Sequence, residues 1–325
     1  MAGAGTPGRT ADCRMCDECR REYERSGRGE TAGSSFGEGF WQSNQTHSVM
    51  KAFAGDIGYH LTVHQAVPNR PWVLFLHGFM GRSDDFDPLL HAISGICNPV
   101  TIDLAGHGKS DAPRDPKRYR IEHQAADLIS VAARLQMDPL IVYGYSMGGR
   151  IALSAVLERP DLFRGLILES SRAGIADVAD REARRATDRE RASQIRTSFS
   201  DFLEAWVDMP LFGNPTLAER EAILQSLGRS NPEAMATIIE AASPGLAPCR
   251  LAECASLPCP VLLIAGENDE PYTAIHAKLH QTIPDSRRIV IPEAAHRVHR
   301  ERPNALIEPL SSYLSKFDPI NPSKP

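Results

Sequence analysis

Along the chain, apolar residues gather in short unbroken runs separated by longer stretches of mixed character. Trp72-Val73-Leu74-Phe75-Leu76, Leu140-Ile141-Val142-Tyr143, Leu166-Ile167-Leu168 and Val261-Leu262-Leu263-Ile264-Ala265 are apolar throughout. That is the pattern of strands covered on both faces. Val100-Thr101-Ile102 and Arg288-Ile289-Val290-Ile291 read as further strands. Ahead of them, Ala52 to Val67 alternates (Ile57, Tyr59, Leu61, Val63), which predicts a hairpin buried on one face. Between the runs, Tyr119 to Gln136 repeats Ile121, Ala125, Leu128, Ile129, Ala132 and Ala133 at helical spacing. Arg150 to Arg159 reads as a second helix and Arg302 to Phe317 as a closing one. Strands alternating with helices predict an α/β fold, a mostly parallel sheet with helices on both faces. The alternation stops between Ala173 and about Arg250, a stretch without a convincing strand and rich in Arg, Ala, Glu and Leu. It is expected to be a helical insertion that caps the C-terminal edge of the sheet.

This pattern divides the chain into a core of residues 49–172 and 258–317, a cap of residues 173–257 and a frayed end at 318–325. Residues 1–48 are expected to be a disordered tail. They are poor in branched apolar residues and cannot offset the entropy of ordering. They lack the apolar segment of a signal peptide, and Asp12, Asp17, Glu18, Glu22 and Glu24 argue against a transit peptide. Cys13-x-x-Cys16-x-x-Cys19 offers three thiolates where a closed zinc site needs four ligands. Reactive thiols on an accessory segment are therefore expected there, and neither a metal nor a cofactor is expected anywhere in the chain.

Composition narrows the class. A chain of 325 residues can bury a large core, and a net charge of −5 leaves no footprint for nucleic acid or membrane. No apolar run approaches the ~20 residues of a membrane span. Seven scattered cysteines, an odd number, do not suggest a disulfide framework. These features predict a soluble protein of a reducing compartment, the cytoplasm, with a small molecule as its partner; they are silent on oligomeric state.

The chemistry centres on Gly144-Tyr145-Ser146-Met147-Gly148-Gly149, set between an apolar strand and a helix. Strand, Gly-x-Ser-x-Gly, helix is the context of a nucleophile elbow. Gly144 and Gly148 flank the serine because a Cβ there would clash. A serine hydroxyl needs an imidazole to take its proton and a carboxylate to orient that imidazole. In α/β-hydrolases these follow in the order Ser, Asp, His. Asp269 follows one late strand and His296 follows the last. Glu267 and Glu270 flank the aspartate, and His299 is a second histidine nearby, read as structural. His77-Gly78-Phe79 after a central strand marks the first oxyanion donor, the backbone N–H of Phe79, with that of Met147 as the second. His77 and His107 are read as loop-stabilising residues. The cap carries Arg172, Arg181, Arg184, Arg185, Arg189, Arg191, Arg196 and Arg229. Beside a catalytic pocket such a set suggests a substrate with several carboxylates, held by bidentate pairing. Trp206, Phe212 and Tyr145 can wall in a ring.

Residues 70 to 317 resemble the α/β-hydrolase-fold 2-succinyl-6-hydroxy-2,4-cyclohexadiene-1-carboxylate synthases of menaquinone (vitamin K2) biosynthesis. The likeness rests on Leu76-His77-Gly78-Phe79, Asp103-Leu104-Ala105-Gly106-His107-Gly108, Gly144-Tyr145-Ser146-Met147-Gly148-Gly149-Arg150, Trp206 with Pro210-Leu211-Phe212, Arg229-Ser230-Asn231 and His296-Arg297-Val298-His299-Arg300-Glu301-Arg302-Pro303. The resemblance implies a Ser146, Asp269, His296 triad. It implies that Arg184 and Arg229 bind substrate carboxylates and that Tyr145, Trp206 and Phe212 line the site. It also implies a lyase rather than a hydrolase. The triad acts as a base on a cyclohexene carboxylate, the oxyanion donors stabilise charge on a substrate oxygen, and pyruvate is eliminated without metal or cofactor. Two other readings compete. One is a serine hydrolase acting on an acidic ester or a carbon–carbon bond, and the other is an idle binding protein whose cysteine tail recruits a partner.

Overall fold

The computed structural model describes residues 47–318. Cys13, Cys16 and Cys19, and the end of the chain beyond Asp318, lie outside the described residues. The chain opens with the antiparallel hairpin β1 (Ser48–Ala54) and β2 (Ile57–Val63). The hairpin begins before Ala52 because β1 is an edge strand. Val49, Met50 and Phe53 are exposed there, so the first part of the strand carries little burial signal. Then come β3 (Trp72–Leu76), α1 (Asp87–Ala92), β4 (Asn98–Ile102), α2 (Ile121–Leu135), β5 (Leu140–Tyr145), α3 (Met147–Glu158) and β6 (Gly165–Glu169).

The cap follows as four helices: α4 (Val178–Thr197), α5 (Phe199–Val207), α6 (Leu217–Leu227) and α7 (Pro232–Ala241). Each begins at a residue whose side chain accepts a free backbone N–H. These are Asp177, Ser198, Thr216 and Asn231, and Thr216 forms a capping box with Glu219. The core resumes with β7 (Val261–Gly266), α8 (Glu270–Thr282), β8 (Ser286–Ile291), the single turn α9 (Val298–Glu301) and α10 (Ile307–Leu314). The expected closing helix is interrupted, since Pro303 opens a tight turn through Leu306 before α10 starts.

The strands form one sheet in the order β1-β2-β4-β3-β5-β6-β7-β8, with β3 to β8 parallel. Alternate side chains of the central strands feed two cores. Leu74, Leu76, Val142, Leu168 and Leu263 pack under α2 and α3. Val73, Phe75, Ile141, Tyr143, Ile167 and Leu262 pack under α1 and α10. Truncating one such Leu or Ile to Ala costs about 2–5 kcal/mol, so the sheet is a rigid base for the loops at its C-terminal edge. The cap lies between β6 and β7 in sequence, and α4 packs on α7. Among the described residues Cys97, Cys249, Cys254 and Cys259 are free thiols, and no helix is long and apolar enough to cross a membrane.

Candidate active site

Ser146 sits between β5 and α3 with φ 51° and ψ −108°, a strained conformation for a residue with a Cβ. The turn is closed tightly on both sides. A Cβ on Gly144 would stand 2.4 Å from Gly149 Cα, and one on Gly148 would stand 2.4 Å from the Leu76 carbonyl oxygen. The Ser146 N–H is tied to the Glu169 carbonyl on the neighbouring strand (2.9 Å). The strain aims the hydroxyl out of the sheet.

Ser146 Oγ lies 3.0 Å from His296 Nε2, and His296 Nδ1 lies 2.7 Å from Asp269 Oδ2. Asp269 is at the end of the turn after β7 and His296 is in the loop after β8, both buried. Neither Glu267 nor Glu270 contacts the imidazole: Glu267 accepts the Glu293 N–H instead. The Tyr145 and Tyr272 rings stand edge-on to His296 at 5.4 and 4.7 Å and fix its plane. Burial holds the Tyr145 phenol far above its ordinary pKa, so it stays neutral.

The Met147 N–H is the first of α3 and has no acceptor within that helix. The Phe79 N–H lies in the loop after β3, which two histidines hold in place. His77 Nε2 accepts the Leu104 N–H (3.0 Å) and His107 Nε2 accepts the Met80 N–H (3.2 Å). Burial lowers both imidazoles, His107 to about 3, which keeps them neutral acceptors. Both are structural, as the sequence suggests.

Below the cap lies a cavity of about 410 Å³ lined by Phe79, Tyr145, Ser146, Met147, Trp206, Phe212, Asp269, Tyr272 and His296. Its volume is within the usual range for small-molecule sites. The Phe79 ring meets Trp206 edge-on at 5.9 Å, and Trp206 stacks on Phe202. Arg184 is also on the wall, where its Nε–H donates to both oxygens of Asp188 (2.8 and 3.0 Å). Arg229 is not. It sits after α6 at the outer rim, more than half exposed, beside Ser226 Oγ (3.2 Å) and Asp84 (3.6 Å). The expected placement of Arg229 on the cavity wall is corrected accordingly: α6 ends at Leu227, two residues earlier, and the Arg229 side chain is left largely to solvent.

Three arginines that line the cavity, Arg150, Arg297 and Arg300, had no site role from sequence reasoning, and Arg191 of the cap set lines it as well. Arg150 Nη1 donates to the Ala242 carbonyl (2.6 Å), and burial, reinforced by the nearby Arg184 charge, lowers its pKa to about 10. Arg191 stands over Trp206 at 5.1 Å and shares Asp188 with Arg184. Burial and the Arg184 charge lower its pKa too. Arg297 covers the Phe212 face at 4.5 Å, and Arg300 pairs with Asp85 (2.7 Å). Adjacency was the available signal, since Arg150 follows the elbow glycines and Arg297 follows His296.

Behind the triad, Glu169 is wholly buried at the end of β6. It accepts the Tyr143 hydroxyl, the His299 N–H (3.0 Å) and His299 Nδ1–H (2.8 Å). Burial alone would raise its pKa, but the His299 and Tyr143 contacts outweigh burial and hold it below the ordinary value. Among the described residues no group of three or more His, Cys, Asp or Glu is arranged to hold a metal ion. The arrangement can move a proton between a substrate and His296 through Ser146, and it can stabilise a nearby oxyanion and several carboxylates.

Comparison with known proteins accords with this geometry. Residues 73–308 match the model of the alpha/beta hydrolase family. A Bacillus subtilis (strain 168) protein provisionally named 2-succinyl-6-hydroxy-2,4-cyclohexadiene-1-carboxylate synthase is 34% identical over 249 residues, 75% of this chain and 90% of the relative. The Salmonella typhimurium protein of that name is 30% identical over 249 residues, 76% of this chain and 95% of the relative. The solved structure of MenH from S. aureus superposes with a TM-score of 0.74 at 26% identity, covering 79% of this chain and 98% of that one. The chain belongs to the α/β-hydrolase family and, within it, to the 2-succinyl-6-hydroxy-2,4-cyclohexadiene-1-carboxylate synthases.

Proposed function

We propose that this protein is a cytoplasmic lyase of menaquinone biosynthesis. It eliminates pyruvate from 2-succinyl-5-enolpyruvyl-6-hydroxy-3-cyclohexene-1-carboxylate to give 2-succinyl-6-hydroxy-2,4-cyclohexadiene-1-carboxylate. The observation that carries this reading is a hydrogen-bonded Ser146–His296–Asp269 chain opening into a cavity walled by arginines. Five arginines face three aspartates there, which leaves two positive charges without a carboxylate. The proposed substrate brings three carboxylates. A neutral ester would leave those cations desolvated and unpaired, which weighs against the hydrolase reading.

The change from a 3-ene to a 2,4-diene with loss of the 5-substituent sets the bonds that move. The Ser146–His296 pair takes the proton from C2, which is acidified by the succinyl ketone. The electron pair left there forms C2=C3, the former C3=C4 pair moves to C4=C5, and the C5–O bond breaks. The leaving group is the enolate of pyruvate, which gains a proton to become pyruvate, so atoms and charge balance. As C2 loses its proton, charge gathers on the ketone oxygen, where the Phe79 and Met147 N–H groups stabilise it. Asp269 orients His296 and stabilises its cationic form. Arg184 and Arg191, which flank Asp188 on α4, and Arg150 within their electrostatic reach hold carboxylates, while Tyr145, Trp206 and Phe212 flank the ring.

The test supplies the substrate from the preceding enzyme in situ and follows pyruvate release, with Ser146→Ala and a nitrophenyl ester run alongside. Fast release that requires Ser146, with weak esterase activity, is expected. Brisk Ser146-dependent ester cleavage without pyruvate would instead establish the hydrolase.

A further inference from the structure

Arg297 follows His296 directly, and its guanidinium lies in the cavity wall over Phe212. The acids on that wall are already engaged: Asp269 with His296, Asp188 with Arg184 and Arg191, and Asp85 with Arg300. Glu301, four residues on, spends its carboxylate on the backbone N–H groups of Arg297 and Ala295. Arg297 Nε is buried without a hydrogen-bond partner. Burial lowers its pKa, the Arg300 charge adds to this, and the more distant Glu301 and Asp85 charges offset it only in part. The aromatic face of Phe212 compensates it only in part.

The position of Arg297 says which group would complete it. The cavity cations fall into two sets. Arg184 and Arg191 share Asp188 under the cap, and Arg150 lies within their electrostatic reach. Arg297 instead neighbours Tyr145, Arg300 and Asp85, and Asp85 is in the segment that follows the Phe79 loop. The oxyanion side of the cavity therefore holds one guanidinium with free donors. A ketone whose oxygen meets the Phe79 and Met147 N–H groups, and whose chain ends in a carboxylate two methylenes away, would place that carboxylate on this side.

We infer that Arg297 is a specificity-determining residue that binds the terminal carboxylate of a γ-keto acid chain, the succinyl arm of the substrate. The inference rests on the lyase reading only for the position of the ketone. The unpartnered guanidinium stands without it. A planar fork suits the task, since it can pair with both carboxylate oxygens.

The test uses the full chain and two probes. One is 4-oxo-4-phenylbutanoate, an aryl ketone with one carboxylate. The other is butyrophenone, the same ketone without it. Titration calorimetry should show Arg297→Met weakening the first probe about 10-fold or more, the loss of one charge-assisted pairing. Arg297→Lys should recover part of the loss, Arg184→Met should change it less than about threefold, and butyrophenone should bind alike to wild type and Arg297→Met. In pyruvate release, Arg297→Met should raise KM by a similar factor with kcat nearly kept. Unchanged binding of the acid probe, an equal loss from Arg184→Met, or no binding by wild type would overturn the inference. Arg297→Gln serves if the methionine variant folds poorly, with the same outcomes expected. A wild type that releases no pyruvate but binds the acid probe through Arg297 would remove the lyase reading and support this one.

Discussion

The buried Glu169–His299–Tyr143 group invites a decisive perturbation, because it touches the site without belonging to the proton path through Ser146. Glu169 has no exposed surface and accepts three hydrogen bonds. Glu169→Ala would leave a tyrosine hydroxyl, a backbone N–H and an imidazole N–H buried without an acceptor. Each buried donor left without an acceptor costs about 1–3 kcal/mol, so at the lower end of that range the three together cost about 3–5 kcal/mol. At about 2 °C per kcal/mol for a chain of this size, the melting temperature should fall by about 6–10 °C. Glu169→Gln keeps one oxygen for His299 but turns charge-assisted bonds into neutral ones, at about 1 kcal/mol per bond. An intermediate loss of about 2–3 kcal/mol is expected.

The pH dependence has a definite sign. The folded-state pKa of Glu169 is depressed, so its contribution is present above the unfolded value and lost as pH falls through the folded one. The stability gap between wild type and Glu169→Gln should therefore be full at neutral pH and close below about pH 4. Calorimetric melting of both variants, with Tyr143→Phe to complete a double-mutant cycle, reads these quantities. Pyruvate release supplies the opposing readout. Ser146 is tied to Glu169 through the backbone carbonyl, not the side chain, so kcat of Glu169→Gln should stay within about threefold. The rival is that Glu169 and His299, which also lines the cavity, form a second acid–base pair. A 100-fold loss of kcat with an unchanged melting temperature would refute the structural assignment.

Ser146→Ala should remove essentially all pyruvate release while leaving probe binding intact, and Asp269→Asn should cost about 10⁴-fold in kcat by presenting the wrong imidazole tautomer; full activity in either variant would break the proposed relay. Gly148→Ala should fail to give native protein, because its Cβ would meet the backbone of Leu76 and His77 at 2.4–2.5 Å; a stable, active variant would contradict the elbow geometry. His77, His107 and His276 are buried with pKa values lowered by desolvation, the last two to about 3 and about 4. Depressed histidines favour the fold above about pH 6.5 and lose that contribution as pH falls toward the folded values, by about 1.4 kcal/mol per pH unit each. Unfolding near pH 5, followed by calorimetry in buffers of different ionisation enthalpy, should take up about two protons at His107 and His276 with a further contribution from His77, and none taken up would refute their burial as neutral imidazoles.

What could be read in advance was local, and what could not was pairing. Ser146, Asp269 and His296 each stand at the end of an apolar strand, and the position, residue type and order of such residues are visible without the fold. Trp206, Phe212 and Tyr145 reach the cavity because each flanks a recognisable break between elements. The arginines differ. Arg184, Arg185, Arg189 and Arg191 look alike along α4, and only the packing of that helix buries Asp188 and turns Arg184 and Arg191 toward it. Arg229 resembles them in sequence but falls beyond the last turn of α6, where its side chain meets solvent. Glu169 offered a usable signal: a carboxylate that ends a fully buried strand must find donors, and a buried acid without them would be neutral or would unfold the strand. Its partner lies 130 residues away, beside His296. That connection bears on function. Glu169 fixes His299 through its carboxylate and the strained Ser146 through its backbone carbonyl, so the serine of the proposed proton path and the turn that follows His296 are referenced to the same residue of β6. Strain at the serine can then persist, because relaxing it would disturb a fully bonded buried charge.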